Sequence, residues 1–259
     1  MAYEFANYDK KGHVATITMN RPHVMNSVHP PATVELSAIW DDAIADDNVW
    51  VVILTGAGDK AFSAGNDLKY TAEKGMPSGP RPKGGFGGIT DRTEVWKPLI
   101  AAVNGFALGG GFEMALACDI IVAAEHARFG LPEPRVGLAA AAGGVHRLPR
   151  QIPLKIAMGY MLTGKHMTAQ EALRFGIVNE VVLLKDLMPT AERWASEILE
   201  CAPLSVRATK QCAMMGLGLP LDLALSRSYE ALQQMMHSED VREGPKAFAE
   251  KRKPNWKGR

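Results

Sequence analysis

The sequence predicts an α/β fold with a helical tail, and three observations carry that reading. Short, apolar, β-branched runs recur in the first half, at Val49 to Thr55, Leu99 to Val103 and Ile120 to Ala124. Near-continuous hydrocarbon of this kind suits strands of a parallel sheet covered on both faces. Helical stretches separate these runs, and that alternation builds βα units. From Pro149 onward helical pattern follows helical pattern, broken by one strand expected at Ile177 to Leu183.

The elements can be justified in order. His13 to Met19 alternates apolar and polar residues and reads as a strand. Pro30 to Ala45 carries Val34, Leu36, Ile39, Trp40, Ala43 and Ile44 at helical spacing and opens on two prolines. The run from Val49 ends in Gly56-Ala57-Gly58, which resembles a GxGxxA dinucleotide fingerprint. No helix opens at Gly58 and no acid closes a second strand about 20 residues on, so a plain strand-exit turn is the better reading. Residues 75 to 90 contain six glycines and three prolines, the composition of a mobile loop or lid rather than a core element. Later helices are expected at Leu154 to Leu162, Thr168 to Phe175, Leu187 to Cys201, Leu204 to Gly216, Leu221 to His237 and Asp240 to Lys251. Thr168 with Glu171 forms a capping box, and Pro189 suits a first turn. The expected organisation is an α/β core over residues 1–200 and a C-terminal helical region over residues 201–259.

Composition narrows the function classes. With 259 residues, 47% hydrophobic and 22% charged, the chain is ordinary globular protein. A net charge of +1 supplies no global field for nucleic acid or an anionic membrane. No apolar stretch reaches the roughly 18 residues of a membrane span. Met1 to Lys10 is polar and mixed, which speaks against a secretory signal, so a cytoplasmic location is expected. Cys118, Cys201 and Cys212 are sparse and flanked by apolar residues, as buried free thiols are. The seven histidines make no HxxxH or HExxH pattern, so no metal is expected.

Chemistry concentrates in residues 103 to 133. Gly109-Gly110-Gly111 precedes a helix-forming run from Phe112 to Ala117, and free backbone N–H groups at such a start can hold an anion or an oxygen that becomes one. The same triplet can also be a tight turn or a close helix contact. Glu113 lies among Phe112, Met114, Ala115, Leu116 and Ala117, and a buried carboxylate needs a partner or a task. A structural salt bridge competes with acid–base work there. Glu133, stiffened between Pro132 and Pro134, is either a second acid arriving from a neighbouring loop or a surface acid. Ser63-Ala64-Gly65-Asn66-Asp67 offers another small-residue turn whose amides could reach the same oxygen, with Asn66 or Asp67 as a plain helix cap in the alternative. Arg147 and Arg150 read better as charges on a subunit face than as phosphate contacts. Tyr229, His237 and the methionine pairs at 214–215 and 235–236 look like interface and core packing.

Taken in order along the chain, these pieces resemble the enoyl-CoA hydratase/isomerase, or crotonase, family. The matching segments are Asn20-Arg21-Pro22 with Asn26, Phe62 to Leu68, Ile100 to Glu113, Cys118-Asp119, Phe129 to Glu133, Gly143-Gly144 with Arg147-Leu148, Leu162-Thr163-Gly164, Gly176-Ile177-Val178, and Glu243-Gly244 with Ala247 to Arg252. The resemblance implies a ββα superhelix core with a C-terminal helical trimerisation region, as a homotrimer or hexamer. It implies backbone N–H groups of Asn66 and Gly110 as an oxyanion hole for a thioester carbonyl. Ala64 and the stretch Asp67, Leu68 and Lys69 would line the channel for coenzyme A, the carrier part of the substrate, and Phe248 and Lys251 would reach it across a subunit contact. Glu113 and Glu133 match the two catalytic acids of hydratases, with Glu133 as proton donor and Glu113 as water activator. Retaining both favours hydration of a 2-enoyl-CoA, without a bound cofactor or metal, over an isomerase of the same family. One departure is Ala139 to Ala142, where many hydratases have a proline-glycine step. The Ala141 N–H stays available on this reading, while the added methyls narrow the space near the water. Gly84 to Ile89 and the ending Lys253 to Arg259 look similar to carnitinyl-CoA dehydratases, the preferred alternative.

Overall fold

The computed structural model describes residues 3–75 and 82–259. Strands β1 (Ala6–Lys11) and β2 (Val14–Met19) form an antiparallel hairpin, and α1 (Pro30–Ala45) follows with proline in its first turn. Strand–strand–helix units come next. They are β3 (Val51–Gly56), β4 (Ala61–Ser63) and α2 (Leu68–Lys74), then β5 (Leu99–Val103), β6 (Phe106–Leu108) and α3 (Gly110–Leu116). The next unit has β7 (Ile120–Ala124), β8 (Arg128–Gly130), a 3-10 turn at Glu133–Val136 and α4 (Gly144–Gln151). The remainder runs α5 (Leu154–Thr163), β9 (His166–Thr168), α6 (Ala169–Phe175), β10 (Glu180–Val182) and α7 (Leu187–Leu199). It ends in α8 (Pro203–Gly216), α9 (Leu221–Ser226), α10 (Glu230–Met236) and α11 (Asp240–Ala249).

The strands make two sheets, in the orders β1-β2-β3-β5-β7-β10 and β4-β6-β8-β9. All pairs are parallel except β1–β2 and β8–β9. The repeat is therefore ββα rather than βα. The second strand of each unit is only three residues long, too short to show a period in sequence. Side chains alternate across the large sheet. Val52, Leu54, Ala101, Val103, Ile121 and Ala123 join the main core with α1 and α3. Val51, Ile53, Ile100, Ala102 and Val122 face Leu187, Ala191 and Ala195 of α7.

Pro30–Ala45, Leu99–Val103 and Ile120–Ala124 form as expected, and the Thr168–Glu171 capping box is present. Three expectations need correction. The helix expected from Leu221 to His237 is broken. Arg227 and Tyr229 are extended, because the Tyr229 ring is buried and its hydroxyl donates back to the Ala224 carbonyl at 2.8 Å. The glycine-rich segment turns into core from Gly85 onward, whereas Gly75, Pro82 and Lys83 are exposed. Gly87, Gly88 and Ile89 are buried, and a methyl on Gly88 would lie 2.5 Å from the Ser37 Cα in α1. Arg92 holds this turn by donating to the Gly88 carbonyl at 2.7 Å, and Ser37 Oγ donates to the Lys83 carbonyl. Its glycines meet close approach and positive φ rather than mobility. Residues 76–81 of that segment lie outside the described residues. Of the cysteines only Cys118 is buried, its thiol pushed up to about 12 by desolvation. Cys201, just past the end of α7, is exposed, and Cys212 in α8 is half-buried.

Candidate active site

Two loops abut at one point. Val28 forms a parallel bridge with Asn66, in which the Gly65 carbonyl accepts from Val28 N at 2.8 Å and Asp67 N donates to the Val28 carbonyl at 3.1 Å. That pattern uses the peptide groups on either side of Asn66, so the N–H of Asn66 points away from Val28. A methyl built on Gly65 would lie 2.6 Å from the Leu108 carbonyl oxygen and 2.9 Å from the Gly110 nitrogen. Gly110 opens α3, where a first-turn amide has no acceptor one turn behind it. A methyl on Gly110 would collide with the Phe86 ring. Glycine is therefore what allows the two backbones and the ring to meet.

The first loop is fastened from beneath. Asn26 donates to the carbonyls of Ala57 (2.9 Å) and Ala61 (2.7 Å) and accepts from Arg21 N. Ser63 Oγ donates to the Asn26 carbonyl and accepts from Gly65 N. Arg21 pairs with Asp67 at 3.0 Å, and Asp67 also caps α2 by accepting from Tyr70 N. Asp67 thus works inside the loop, which explains the Asn20-Arg21-Pro22 segment.

Two carboxyls stand beside this junction. Glu113 is 3% exposed and accepts from Gly144 N at 2.8 Å. Burial pushes its carboxyl up to about 7, the Gly144 and Ala142 amides and the Arg147 charge oppose the rise, and the negative charge of Glu133 adds to it. Glu133 comes from the 3-10 turn, and its Oε1 lies 3.0 Å from where a methyl on Gly109 would sit. Its Oε2 is buried and accepts no hydrogen bond among the described residues. Burial raises its pKa as well. Two acids that burial holds back from ionising can stand one protonated and one ionised, so each can serve a different proton step.

The other expected site residues are placed as follows. The Ala64 amide donates to the Met25 carbonyl at 2.9 Å, and Leu68 and Lys69 stand exposed on the first turn of α2. Phe248 is 87% exposed on α11, and Lys251, at φ 54°, is exposed just beyond it. The Ala141 N–H is not free. It donates to the Ala139 carbonyl at 2.7 Å, closing a tight turn within the alanine run. Arg147 is not a surface charge. It is half-buried and donates to the Thr90 carbonyl at 2.8 Å, whereas Arg150 stays outside. The sequence reading missed three contributors, namely Phe86 over Gly110, the Gly144 amide on Glu113, and inward-turned Arg147. The Gly143-Gly144 step before a helical pattern was the available signal for the amide.

Two carboxyls whose pKa values burial raises stand beside two loop amides, an arrangement that can do acid–base chemistry on a substrate whose oxygen gains charge. Over residues 9–259 the sequence matches the family described as enoyl-CoA hydratase/isomerase, and the chain belongs to that family. It is 42% identical to an (E)-benzylidenesuccinyl-CoA hydratase of Thauera aromatica, covering 95% of this chain and 96% of the relative. It is equally 42% identical to a carnitinyl-CoA dehydratase of Citrobacter koseri, covering 99% of each. Among solved structures, enoyl-CoA hydratase EchA1 from Mycobacterium marinum superposes with a TM-score of 0.91 at 40% identity, over 98% of this chain and 99% of that one. The fold is that of crotonase-type hydratases.

Proposed function

We propose that this chain is an enoyl-CoA hydratase, a hydro-lyase that adds water reversibly across the 2,3 double bond of a 2-enoyl-CoA thioester. The observation that carries this reading is the convergence of the Gly65–Asn66 and Gly109–Gly110 backbones beside buried Glu113 and half-buried Glu133, both with raised pKa values. The Asn66 and Gly110 amides grip the thioester oxygen as the enolate forms, and losing one such donor costs about 3 kcal/mol of barrier. Ionised Glu113 takes a proton from water as the oxygen attacks C3. Protonated Glu133 delivers its proton to C2, and dehydration runs the same steps backward.

Coenzyme A enters as part of the substrate, along Ala64 to Lys69, with Phe248 and Lys251 of a neighbouring subunit at its far end. Ala141 faces the acyl side. Residues 201–259 act as the assembly region of a homotrimer or hexamer. Exposed Leu217, Leu221 and Leu225 and the bare Phe248 ring support that division from the core of residues 1–200. A cytoplasmic location fits this substrate, and no helix among the described residues is long and apolar enough to cross a membrane.

A narrower reading, carnitinyl-CoA dehydratase, has support from 42% identity over essentially the full length of such a relative. The test is a substrate panel of crotonyl-CoA, crotonobetainyl-CoA and (E)-benzylidenesuccinyl-CoA, followed by loss of the enoyl-thioester absorbance. Turnover of crotonobetainyl-CoA well above the others selects the narrower reading. Tight coenzyme A binding with no turnover of any of them overturns the proposal.

A further inference from the structure

We infer that Arg147 is a positioning residue whose guanidinium ties the Gly143–Gly144 start of α4, which grips Glu113, to the Phe86-bearing wall over Gly110. The inference rests on the hydratase reading for its catalytic meaning, and on contacts for its geometry. Arg147 Nη2 donates to the Thr90 carbonyl at 2.8 Å. Its Nη1 lies against the Gly143 Cα, where a methyl would overlap it. Gly143 is the residue before Gly144, whose amide holds Glu113 Oε1 at 2.8 Å. One cation thus bridges the α4 start that grips the acid and the loop that carries the ring.

Among the described residues, the charged groups around this cation can be named. Glu113 is faced by Glu133 from the 3-10 turn and by Arg147 from α4. Arg147 is faced in turn by Asp91 from its own loop contact and by Cys118 beyond α3, whose thiol is neutral below about 12. Arg92 of the same loop is turned onto Asp41 at 2.8 Å and the Ser37 carbonyl. The Gly144 amide opposes the effect of burial at Glu113 most strongly, the Ala142 amide next, and the Arg147 charge adds to them. Arginine suits the place because its fork can donate to a carbonyl while its charge stays fixed at any working pH.

The experiment compares wild type with Arg147→Gln and Arg147→Lys. For wild type, kcat/KM climbs with pH through about 7 as Glu113 ionises. Arg147→Gln moves that acid limb to higher pH, because a charge that favours ionised Glu113 and the tie on its Gly144 donor are both lost. Arg147→Lys keeps the limb in place but raises KM, since a single ammonium holds the Thr90 carbonyl less well. An unmoved limb in Arg147→Gln, or an equal shift in Arg147→Lys, overturns the inference.

A second readout needs no turnover. A carboxyl raised to about 7 binds its proton more tightly folded than unfolded, so stability falls as pH rises from the ordinary carboxylate range to about 7. Arg147→Gln stretches that fall to higher pH, and Glu113→Gln removes the difference between the two. A persistent difference in the Glu113→Gln background refutes the coupling. If no enoyl-CoA is hydrated but the linkage appears, the coupling stands and the hydratase reading fails alone. If Arg147→Gln does not fold, the Arg147→Lys limb and KM decide.

Discussion

The two faces of the large sheet are built from different materials. On one face Val51, Ile53, Ile100, Ala102 and Val122 meet Leu187, Ala191 and Ala195 of α7, side chain against side chain. On the other, past the core under α1 and α3, backbone meets backbone at Gly65 and Gly110, and two acids enter. Hydrocarbon contacts tolerate volume-conserving exchange. A backbone junction does not, because a single methyl has nowhere to go. The α7 face should therefore answer to stability and the glycine face to rate.

The largest expected effect tests the glycine face directly. Glu113→Gln and Glu133→Gln each remove a proton-transfer group, and turnover should fall by roughly 10²- to 10⁴-fold with the fold intact. Near wild-type hydration rates in both would erase the distinction between the faces. Gly110→Ala puts a methyl into the Phe86 ring and disturbs one oxygen-gripping amide. A loss of roughly 10²- to 10³-fold in kcat is expected, and an unchanged kcat would show that the amide plays no part.

Leu187→Ala, on the α7 face, should lower unfolding free energy by about 2–5 kcal/mol while kcat/KM of the remaining folded enzyme holds. A large kcat change there, measured below the melting transition, would show that the faces are coupled. The smallest effect sharpens the contrast further. Arg193→Ala removes exposed ion pairs to Glu180 and Glu197, and the midpoint of denaturant melts should barely move.

The α7 face was legible because its strands are long enough to carry a pattern and its partner helix is regular. Leu99–Val103 and Ile120–Ala124 appear residue for residue where their hydrocarbon runs lie. Glu113 was legible for the opposite reason, as a charge stranded among apolar neighbours. Most of what surrounds it was not. Strands β4, β6 and β8 are too short for a period, so the ββα repeat was visible only through family resemblance. Arg147 looked like a surface charge because no local pattern encodes the Thr90 carbonyl it meets across the fold. The glycine-rich segment looked mobile because glycines placed for positive φ have the same composition as glycines placed for flexibility. The break at Arg227 was hidden because the buried Tyr229 that causes it fits a helical stripe equally well.

Gly65 and Gly110 belong to different strand–strand–helix units and touch only when β4 and β6 lie side by side. Neither peptide segment can shape the pocket by itself. Non-local pairing of this kind forms late as a chain collapses. In refolding, catalysis should therefore lag behind the recovery of helical signal, and a nick between the two units should silence the enzyme while much of its secondary structure survives.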